Sequence, residues 1–555
     1  MILVEDCAHV LKPIKGIGEK GDFVLYSPHK HLPIPEGAAL IIRNSGPSQI
    51  EWKDEDTHQI VKLSKGHYLK VKNTRFYLLT WFSKRLAQKI GIRSRNSNVP
   101  NYNEDSLNQT VAYPLMANVS KRFLISALSS IGEVVRHKFQ IQRIWDAVLD
   151  EFIPIQSERS ESYIPYLTEY NFPNLEIAKA NFERLYSLHY PVSVWPDLPP
   201  EIRSNPLYYK SSIHLRETSF YLPTHFSLSS KEVSLFSNSK NSNIFFSLEA
   251  TNLDEENWNS ELNSIDAVNL LQTLFYGEAK KHIEGWGIKR ILLKSNGKKI
   301  GLVQVLSKTY FYLFHVLRIN RGPLFYEGVS EEEKKSALHY IAKWVSKFSF
   351  LFINPEMLNT GKNLVSLFRM GYRTRRAIPW SSSLVDLSLD LDDLRKELDG
   401  KWRNMLNAAE KTELKLVISE TEESFQWILD RYSELMNQKE FSGIPISFLK
   451  GIKAESDQNQ KLVQLIAMYQ GEKVAGICIS MANGTGTYLV GWNGEEGRKL
   501  KANQYLLWNA IVYLRSQCCR YFDLGGIDEE NTPKIAEFKI GVNGQRYELA
   551  GEFVR

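Results

Sequence analysis

Near its C-terminal end the 555-residue sequence sets Phe522-Asp-Leu-Gly-Gly-Ile-Asp528 just before Ile535-Ala-Glu-Phe-Lys-Ile-Gly-Val-Asn-Gly544. An apolar run ends in an acid and a Gly-Gly turn, and a second run carries Lys539 beside Phe538. Paired glycines at a strand end let another backbone or a ligand come close, because they carry no side chain. If the second run is a strand, Lys539 directs a fixed positive charge into that opening, where it can act on an anionic group. The plainer reading is a hairpin with a surface lysine. Asp523 and Asp528 form a conceivable carboxylate pair, although the intervening Gly-Gly favours turn geometry for both.

Other chemistries find less support. The sequence holds no Gly-x-Ser-x-Gly elbow, no His-Glu-x-x-His and no Walker loop. Cys7, Cys478, Cys518 and Cys519 lack zinc-like spacing, and so few cysteines in so long a chain suit a reducing compartment. No metal site is expected. His29 and His31 flank Lys30 in a proline-rich stretch, where solvated side chains are expected. The net charge of +6 is small for this length and does not by itself announce a nucleic-acid binder. With 43% apolar residues and no run near the ~20 that a membrane helix needs, the chain reads as folded, without an integral membrane segment. The N-terminus lacks signal-peptide features, so a cytoplasmic location is expected.

The elements that would position these residues fall into two regimes. Residues 1–110 read as a β-rich module, with strands at Asp22–Tyr26, Ala38–Arg43, Gln59–Leu63 and Phe76–Phe82. Residues 111–250 read as helical and irregular, with helical periods at Val119–Phe152 and Asn174–Tyr190 and a Ser/Asn-rich linker over 227–243. No chemical motif stands out in either.

Beyond the linker the order becomes regular. A helix is expected over Ser264–Gly285, capped by Ser264 or Asp266, followed by strands at Ile291–Lys294, Ile300–Leu306 and Tyr310–Val316. A helix over Ser330–Phe348 leads into the apolar Phe350–Pro355. The pattern then recurs. Helices at Leu391–Glu410 and Glu422–Gln438 precede a hairpin at Leu462–Met481, a strand at Thr487–Gly491, a helix at Asn503–Ser516 and a strand at Tyr521–Leu524. Asn296-Gly297 and Gln470-Gly471 occupy matching turns. An α/β (α+β) fold of two tandem units is expected, facing each other across a cleft where ligand sites preferentially lie.

At this point the residues resemble a family. Gln272-Thr-Leu-Phe-Tyr-Gly-Glu-Ala-Lys280, Arg318-Ile-Asn-Arg-Gly-Pro323, Leu367-Phe-Arg-Met-Gly-Tyr-Arg373, Lys401-Trp-Arg-Asn-Met-Leu-Asn407, Asn503-Gln-Tyr-Leu-Leu-Trp508 and Phe522–Asp528 with Phe538-Lys539 follow the order found in the FemABX aminoacyltransferases. The resemblance covers about 255–555. It implies two GNAT-like domains, 251–395 completed by 541–555 and 396–540. It also implies transfer of an amino acid from aminoacyl-tRNA to an amine of a peptidoglycan precursor, whether lipid-linked or nucleotide-linked, with the enzyme peripheral at the inner membrane surface. The aminoacyl-tRNA is then a co-substrate and no cofactor is needed.

The residue roles follow from the same resemblance. Lys539 would stabilise charge on the ester oxygen as an amine attacks, Phe538 would keep the site dry, and Asp528 would orient the amine or Lys539. Lys280 and Arg403 would meet the acceptor's diphosphate, Arg403 through its planar fork. Arg321 and Tyr326 fall at the Arg-Gly-Pro turn that lines the acceptor pocket, and Tyr276 one turn before Lys280 reads first as core. Arg373, Arg375 and Arg376, with Arg369, read either as a solvated basic loop or as a contact to tRNA phosphates. Two features depart from the family: Leu324-Phe-Tyr-Glu327 replaces an acid after Arg-Gly-Pro, and the N-terminal region is extra.

Three alternatives stand beside this reading. An acyl-CoA-dependent N-acyltransferase of surface polysaccharides would need a pyrophosphate loop, yet Gly497-Arg-Lys-Leu-Lys-Ala-Asn-Gln504 places lysine where glycine is required. A tRNA-dependent ligase for a small metabolite would ignore cell-wall precursors. A binding module would keep the cleft and tolerate loss of Lys539.

Overall fold

In the computed structural model the described residues are 2–11, 14–35, 37–44, 46–50, 74–89, 118–150, 164–187, 190–195, 198–225, 228–234, 246–345, 349–376, 379–439 and 443–555. They divide into two compact units, 1–240 with 360–369, and 241–359 with 370–555. Among the described residues no helix is long and apolar enough to cross a membrane.

In the first unit, β1 (Val4–Cys7), β2 (Phe23–Tyr26) and β3 (Ala39–Ile42) form a three-stranded sheet in that order. β4 (Leu167–Asn171) pairs with β5 (Ser219–Pro223). The helix Ile131–Leu149 buries Ile141, Ile144, Trp145 and Val148, and the helix Gly361–Arg369 packs on it. The approach is so close that a Cβ on Gly361 would lie 2.0 Å from the Arg143 carbonyl oxygen.

Three expectations for this unit differ from the structure. Phe76–Phe82 belongs to a helix, Thr74–Lys89, in which Trp81 and Phe82 meet Phe123 of the helix Asn118–Ser129. Tertiary contact between aromatic rings outweighs their β preference there. His31 is buried against Tyr166, and burial pushes its pKa down to about 3. Within the expected linker, Ser230–Ser234 is helical, and His137 Nε2 lies 2.9 Å from the Leu228 carbonyl oxygen. The strand expected at Gln59–Leu63 and the rest of the linker, 235–243, lie outside the described residues.

The second unit is built on two sheets with one plan. The first comprises β6 (Leu248–Asn252), β7 (Gly287–Ser295), β8 (Lys298–Tyr310), β9 (Phe314–Asn320), β11 (Ser349–Asn354) and β12 (Arg373–Arg376), with the short β10 (Leu324–Phe325) paired to β8. The second comprises β13 (Ser381–Asp386), β14 (Lys415–Ser419), β15 (Lys461–Tyr469), β16 (Glu472–Ala482), β17 (Thr485–Asn493), β18 (Tyr521–Asp523) and β19 (Gln545–Glu548). The last strand, β20 (Glu552–Val554), joins the first sheet. The orders are β12-β20-β11-β9-β8-β7-β6 and β14-β15-β16-β17-β18-β13-β19. Read from opposite ends, they correspond strand for strand. Each sheet has one parallel pair, β9 with β11 and β17 with β18, bridged by the helices Glu331–Ala342 and Ala502–Ser516. The unit is therefore a tandem of GNAT-like folds, as the resemblance implies.

The strands that complete each sheet are exchanged along the chain. β13, which the expected boundary at 395 places with the first half, hydrogen-bonds between β18 and β19 of the second sheet. Of the segment expected to complete the first half, β19 stays in the second sheet and only β20 enters the first.

Other elements differ from expectation in detail. The helix expected from Ser264 begins at Leu274, after a single turn at Leu270–Gln272 whose cap is Asn269 rather than Ser264 or Asp266. Tyr310–Val316 is not one strand but a hairpin tip between β8 and β9. Ile535–Gly544 is not a strand, because Pro533 starts a helix, Pro533–Ile540. Proline lacks the N–H that a first helical turn leaves unpaired, and its fixed φ already suits a helix.

Candidate functional site

The motif around Gln272 builds the floor of the site. Gln272 Nε2 donates to the Asn320 carbonyl oxygen (2.7 Å), and its Oε1 accepts from the Gln304 backbone N–H (2.7 Å). Gly277 lets the helix Leu274–Glu284 rest on Gln304, where a Cβ would come within 2.3 Å of Oε1. Glu278 is spent on Arg290 at 2.6 Å. These contacts leave Tyr276 and Lys280 on the side that lines a cavity of about 390 Å³ with Trp286, Arg318, Arg321 and Trp380. The Tyr276 hydroxyl accepts from Asn320 Nδ2 (3.1 Å), so Tyr276 is both core and lining. Lys280 pairs with Glu284 and sits over the Phe448 ring at 4.4 Å.

Arg321 separates this cavity from a second one of about 270 Å³, lined also by Glu356, Leu384, Asp523 and Tyr547. The guanidinium is buried, and donates to Glu356 through Nε (3.0 Å) and Nη2 (2.7 Å) and to Asp523 through Nη1 (3.1 Å). Burial opposes its charge, but the Glu356 and Asp523 carboxylates outweigh that and raise its pKa. Asp523 also accepts from Ser382 Oγ, the Tyr547 hydroxyl (2.7 Å) and the Gly525 N–H (2.9 Å). Burial pushes the Asp523 carboxyl up, yet Arg321 and these donors hold it below the usual carboxylate range. The cavity walls thus come from both halves of the tandem.

Beyond Asp523 the Gly525-Gly526 turn needs its first glycine, since φ is +69° and a Cβ would lie 2.6 Å from the Tyr488 carbonyl oxygen. Lys539 reaches this turn from its helix. Its Nζ donates to the Gly526 carbonyl oxygen (2.8 Å) and lies 4.9 Å from the Tyr488 ring centre. With so little polar contact, burial pushes the Lys539 pKa down to about 8, Asp523 opposing. Phe538 stacks on Trp402, whose Nε1 donates to the Phe538 carbonyl oxygen (2.9 Å).

Other candidates fall elsewhere. Asp528 is exposed and accepts from the backbone N–H groups of Glu530 (3.1 Å) and Asn531 (2.9 Å), so it shapes its own loop. Tyr326 hydrogen-bonds Glu261 and lines neither cavity. Arg403 donates to the Lys396 carbonyl oxygen (3.0 Å), closing the preceding helix, and does not share the cavity with Lys280. Arg373, Arg375 and Arg376 form strand β12 rather than a loop, and Arg375 pairs with Glu552 at 2.8 Å. The Arg376 side chain lies outside the described residues. Sequence reasoning passed over Glu356, Trp380, Ser382 and Tyr547, whose only sequence signal is a position next to a strand end.

The segment between β17 and the helix Ala502–Ser516 is where a GNAT fold holds the pyrophosphate of an acyl-CoA. Here it is a helical turn, Glu495–Lys499, opened by two acids. The N–H groups of Arg498, Leu500, Gln504 and Tyr505 are spent on Gly494, Glu496 and Lys501 carbonyls. A Cβ on Gly497 would lie 2.3 Å from Asn493 Oδ1, so the turn packs closely on the end of β17.

Residues 393–539 match the family model described as an acetyltransferase (GNAT) domain. They form a GNAT-type acyltransferase domain. Among solved structures the chain is similar to FemX, at 17% identity and a TM-score of 0.47 over 55% of this chain and 96% of that one. It is also similar to a tandem GNAT protein from the clavulanic acid biosynthesis pathway, at 12% identity and 0.34 over 56% and 98%. A third is L-PGS from Bacillus licheniformis, at 14% and 0.33 over 54% and 91%. No curated protein matches the chain.

Proposed function

We propose that this acyltransferase moves an aminoacyl group from tRNA to an amine of a peptidoglycan precursor. The observation that supports the reading is the Glu495–Lys499 turn, a helical turn opened by two acids where an acyl-CoA enzyme needs a loop that receives a pyrophosphate. A donor activated as a tRNA ester needs no such loop.

In the reaction the acceptor amine attacks the ester carbonyl carbon, a C–N bond forms, and the C–O bond to the terminal ribose breaks. The ribose hydroxyl leaves with the proton that the amine gives up. Negative charge gathers on the carbonyl oxygen in between, and a desolvated ammonium counters such charge more strongly than one in water. Lys539, buried behind the Gly525-Gly526 turn and lining neither cavity, supplies that group, and the exposed Gly526 beside Trp380 is the side from which the donor approaches. In the cavity Lys280 is paired with Glu284, Arg318 with Glu552 and Arg321 with Glu356, so an anionic acceptor would exchange with one of these acids, and Trp286 and Trp380 offer flat surfaces beside it.

The match to a GNAT acetyltransferase family favours a second reading, N-acylation from acyl-CoA. A donor competition separates the two. The protein receives a muramyl-pentapeptide acceptor with either a charged tRNA pool or a set of acyl-CoAs. Transfer from tRNA that disappears in Lys539→Met is the expected result, and transfer from acyl-CoA alone would overturn it.

A further inference from the structure

The hairpin that joins β8 to β9 carries five large apolar or aromatic residues in succession, Tyr310-Phe311-Tyr312-Leu313-Phe314, and all are exposed. Phe311 is 89% and Tyr312 103% exposed, so neither ring contributes to packing. The turn closes with the Leu313 N–H donating to the Tyr310 carbonyl oxygen (3.2 Å). Its two central residues both sit at positive φ, Phe311 at 52° and Tyr312 at 55°.

Such a backbone favours Asn-Gly or Asp-Gly and penalises bulky side chains. The same molecule shows what the fold ordinarily uses. The β7–β8 turn is Asn296-Gly297, the β15–β16 turn is Gln470-Gly471, and the β16–β17 turn is Asn483-Gly484, all at positive φ. The last of these is the counterpart of Phe311-Tyr312 in the second sheet. A strained turn filled with exposed aromatics, where three sister turns use Asn-Gly or Gln-Gly, is not a folding requirement. It is a backbone cost that the sister turns avoid.

We propose that the Tyr310–Phe314 hairpin inserts into the interface of an anionic lipid bilayer. Aromatic rings favour the level of lipid headgroups, where the ring is apolar and its edge is wet. Charge agrees. From Ile300 to Tyr326 the chain holds no Asp or Glu, while Lys308 flanks the tip. Phe350, exposed on the neighbouring strand, lies with its ring 6.3 Å from that of Phe314 and widens the apolar surface. One hairpin tip offers far less area than the roughly 800 Å² per partner of a stable protein interface, which favours a bilayer over a second copy of the chain. The tip is also close to the cavity, since Lys308 lies over both the Tyr310 ring (5.9 Å) and the Trp286 ring (5.8 Å) that helps to line it. The proposal does not depend on the identity of the donor or acceptor.

The test is flotation of the full-length protein with phosphatidylcholine vesicles that contain or lack phosphatidylglycerol, compared with the double variant Phe311→Asn/Tyr312→Gly. This variant installs the residues the turn prefers, so its melting temperature should equal or exceed that of the parent. The expected result is binding to the phosphatidylglycerol vesicles that falls by about tenfold or more in the variant. Absence of binding by the parent, or equal binding by a folded variant, overturns the proposal. So does a concentration-dependent dimer that only the variant loses, without vesicle binding, since it assigns the tip to self-association.

Discussion

Arg321 and Asp523 lie 202 residues apart in sequence, one in each half of the tandem, and meet as a buried ion pair at 3.1 Å. The pair fixes the β9 end of the first sheet to the β18 end of the second, with Glu356, Ser382 and Tyr547 completing the network. Asp523→Asn leaves the guanidinium with Glu356 alone, and breaking a buried pair costs about 3–5 kcal/mol. Urea denaturation of the variant should show that loss, and Arg321→Met/Asp523→Leu should cost less than the sum of the single changes. Because the Asp523 pKa is lowered on folding, its contribution is present above the ordinary carboxylate range and lost as pH falls through the folded value. Single variants as stable as the parent would show that the halves are held together elsewhere.

Lys539 gives the sharpest functional prediction. Lys539→Met should lower turnover by about 10²–10³-fold, the usual effect of removing a group that stabilises a developing oxyanion. Its folded pKa of about 8 lies below that of an exposed lysine. The penalty for holding the ammonium is therefore complete below about pH 8 and relaxes as pH climbs toward the unfolded value. Thermal melts should show Lys539→Met equal to or more stable than the parent at neutral pH, with any gain shrinking in alkali. If the charged form is the active one, turnover falls as pH rises through about 8. A general-base role would reverse that limb.

Lys280 and Arg403 divide the resemblance into a part that the cavity supports and a part that it does not. Lys280→Ala should raise the KM for the acceptor about tenfold or more with a smaller change in kcat, because it removes a binding charge from the wall. Arg403→Ala should leave KM unchanged and cost about 1 kcal/mol or less, because its bond closes a helix end at Lys396. Steady-state kinetics on both variants decide the matter, and a matched rise in KM for Arg403→Ala would place it in the acceptor site.

Much of the second unit was legible because its strands obey local rules. Asn296-Gly297 and Gln470-Gly471 announce hairpins, and the apolar runs around them are long enough to fix strand type. Tyr276 and Lys280 line a cavity and lie within a motif that the sequence displays. Asp528 was misread because both Asp523 and Asp528 flank Gly-Gly, and only burial tells them apart. The helix at Pro533 was missed because Ile535–Gly544 is short and its apolar residues suit either period. Phe76–Phe82 failed for a related reason, since its rings are β-formers whose partner Phe123 lies far along the chain. Ser382 and Tyr547 become site residues only through the placement of β13 in the second sheet, and Glu356 through the parallel pairing of β11 with β9, neither of which a local pattern encodes.

That exchange itself can be tested. β20 lies between β11 and β12, so the first sheet is completed by the last residues of the sequence. Phe553 is fully buried, and the Glu552 carboxylate accepts from Arg318 (2.9 Å) and Arg375 (2.8 Å). Deleting residues 551–555 removes the β20 hydrogen bonds to β11 and β12 and leaves both arginines without this acid. The milder Phe553→Ala should cost about 3–5 kcal/mol through the cavity it leaves. Hydrogen exchange reports where the damage falls. Loss of protection should concentrate in β11, at Ser349–Asn354, and in β12, while β15 and β16 of the second sheet keep theirs. Protection lost first in the second sheet would mean that the C-terminal strand supports the half that precedes it in sequence, and the exchange would not hold in solution.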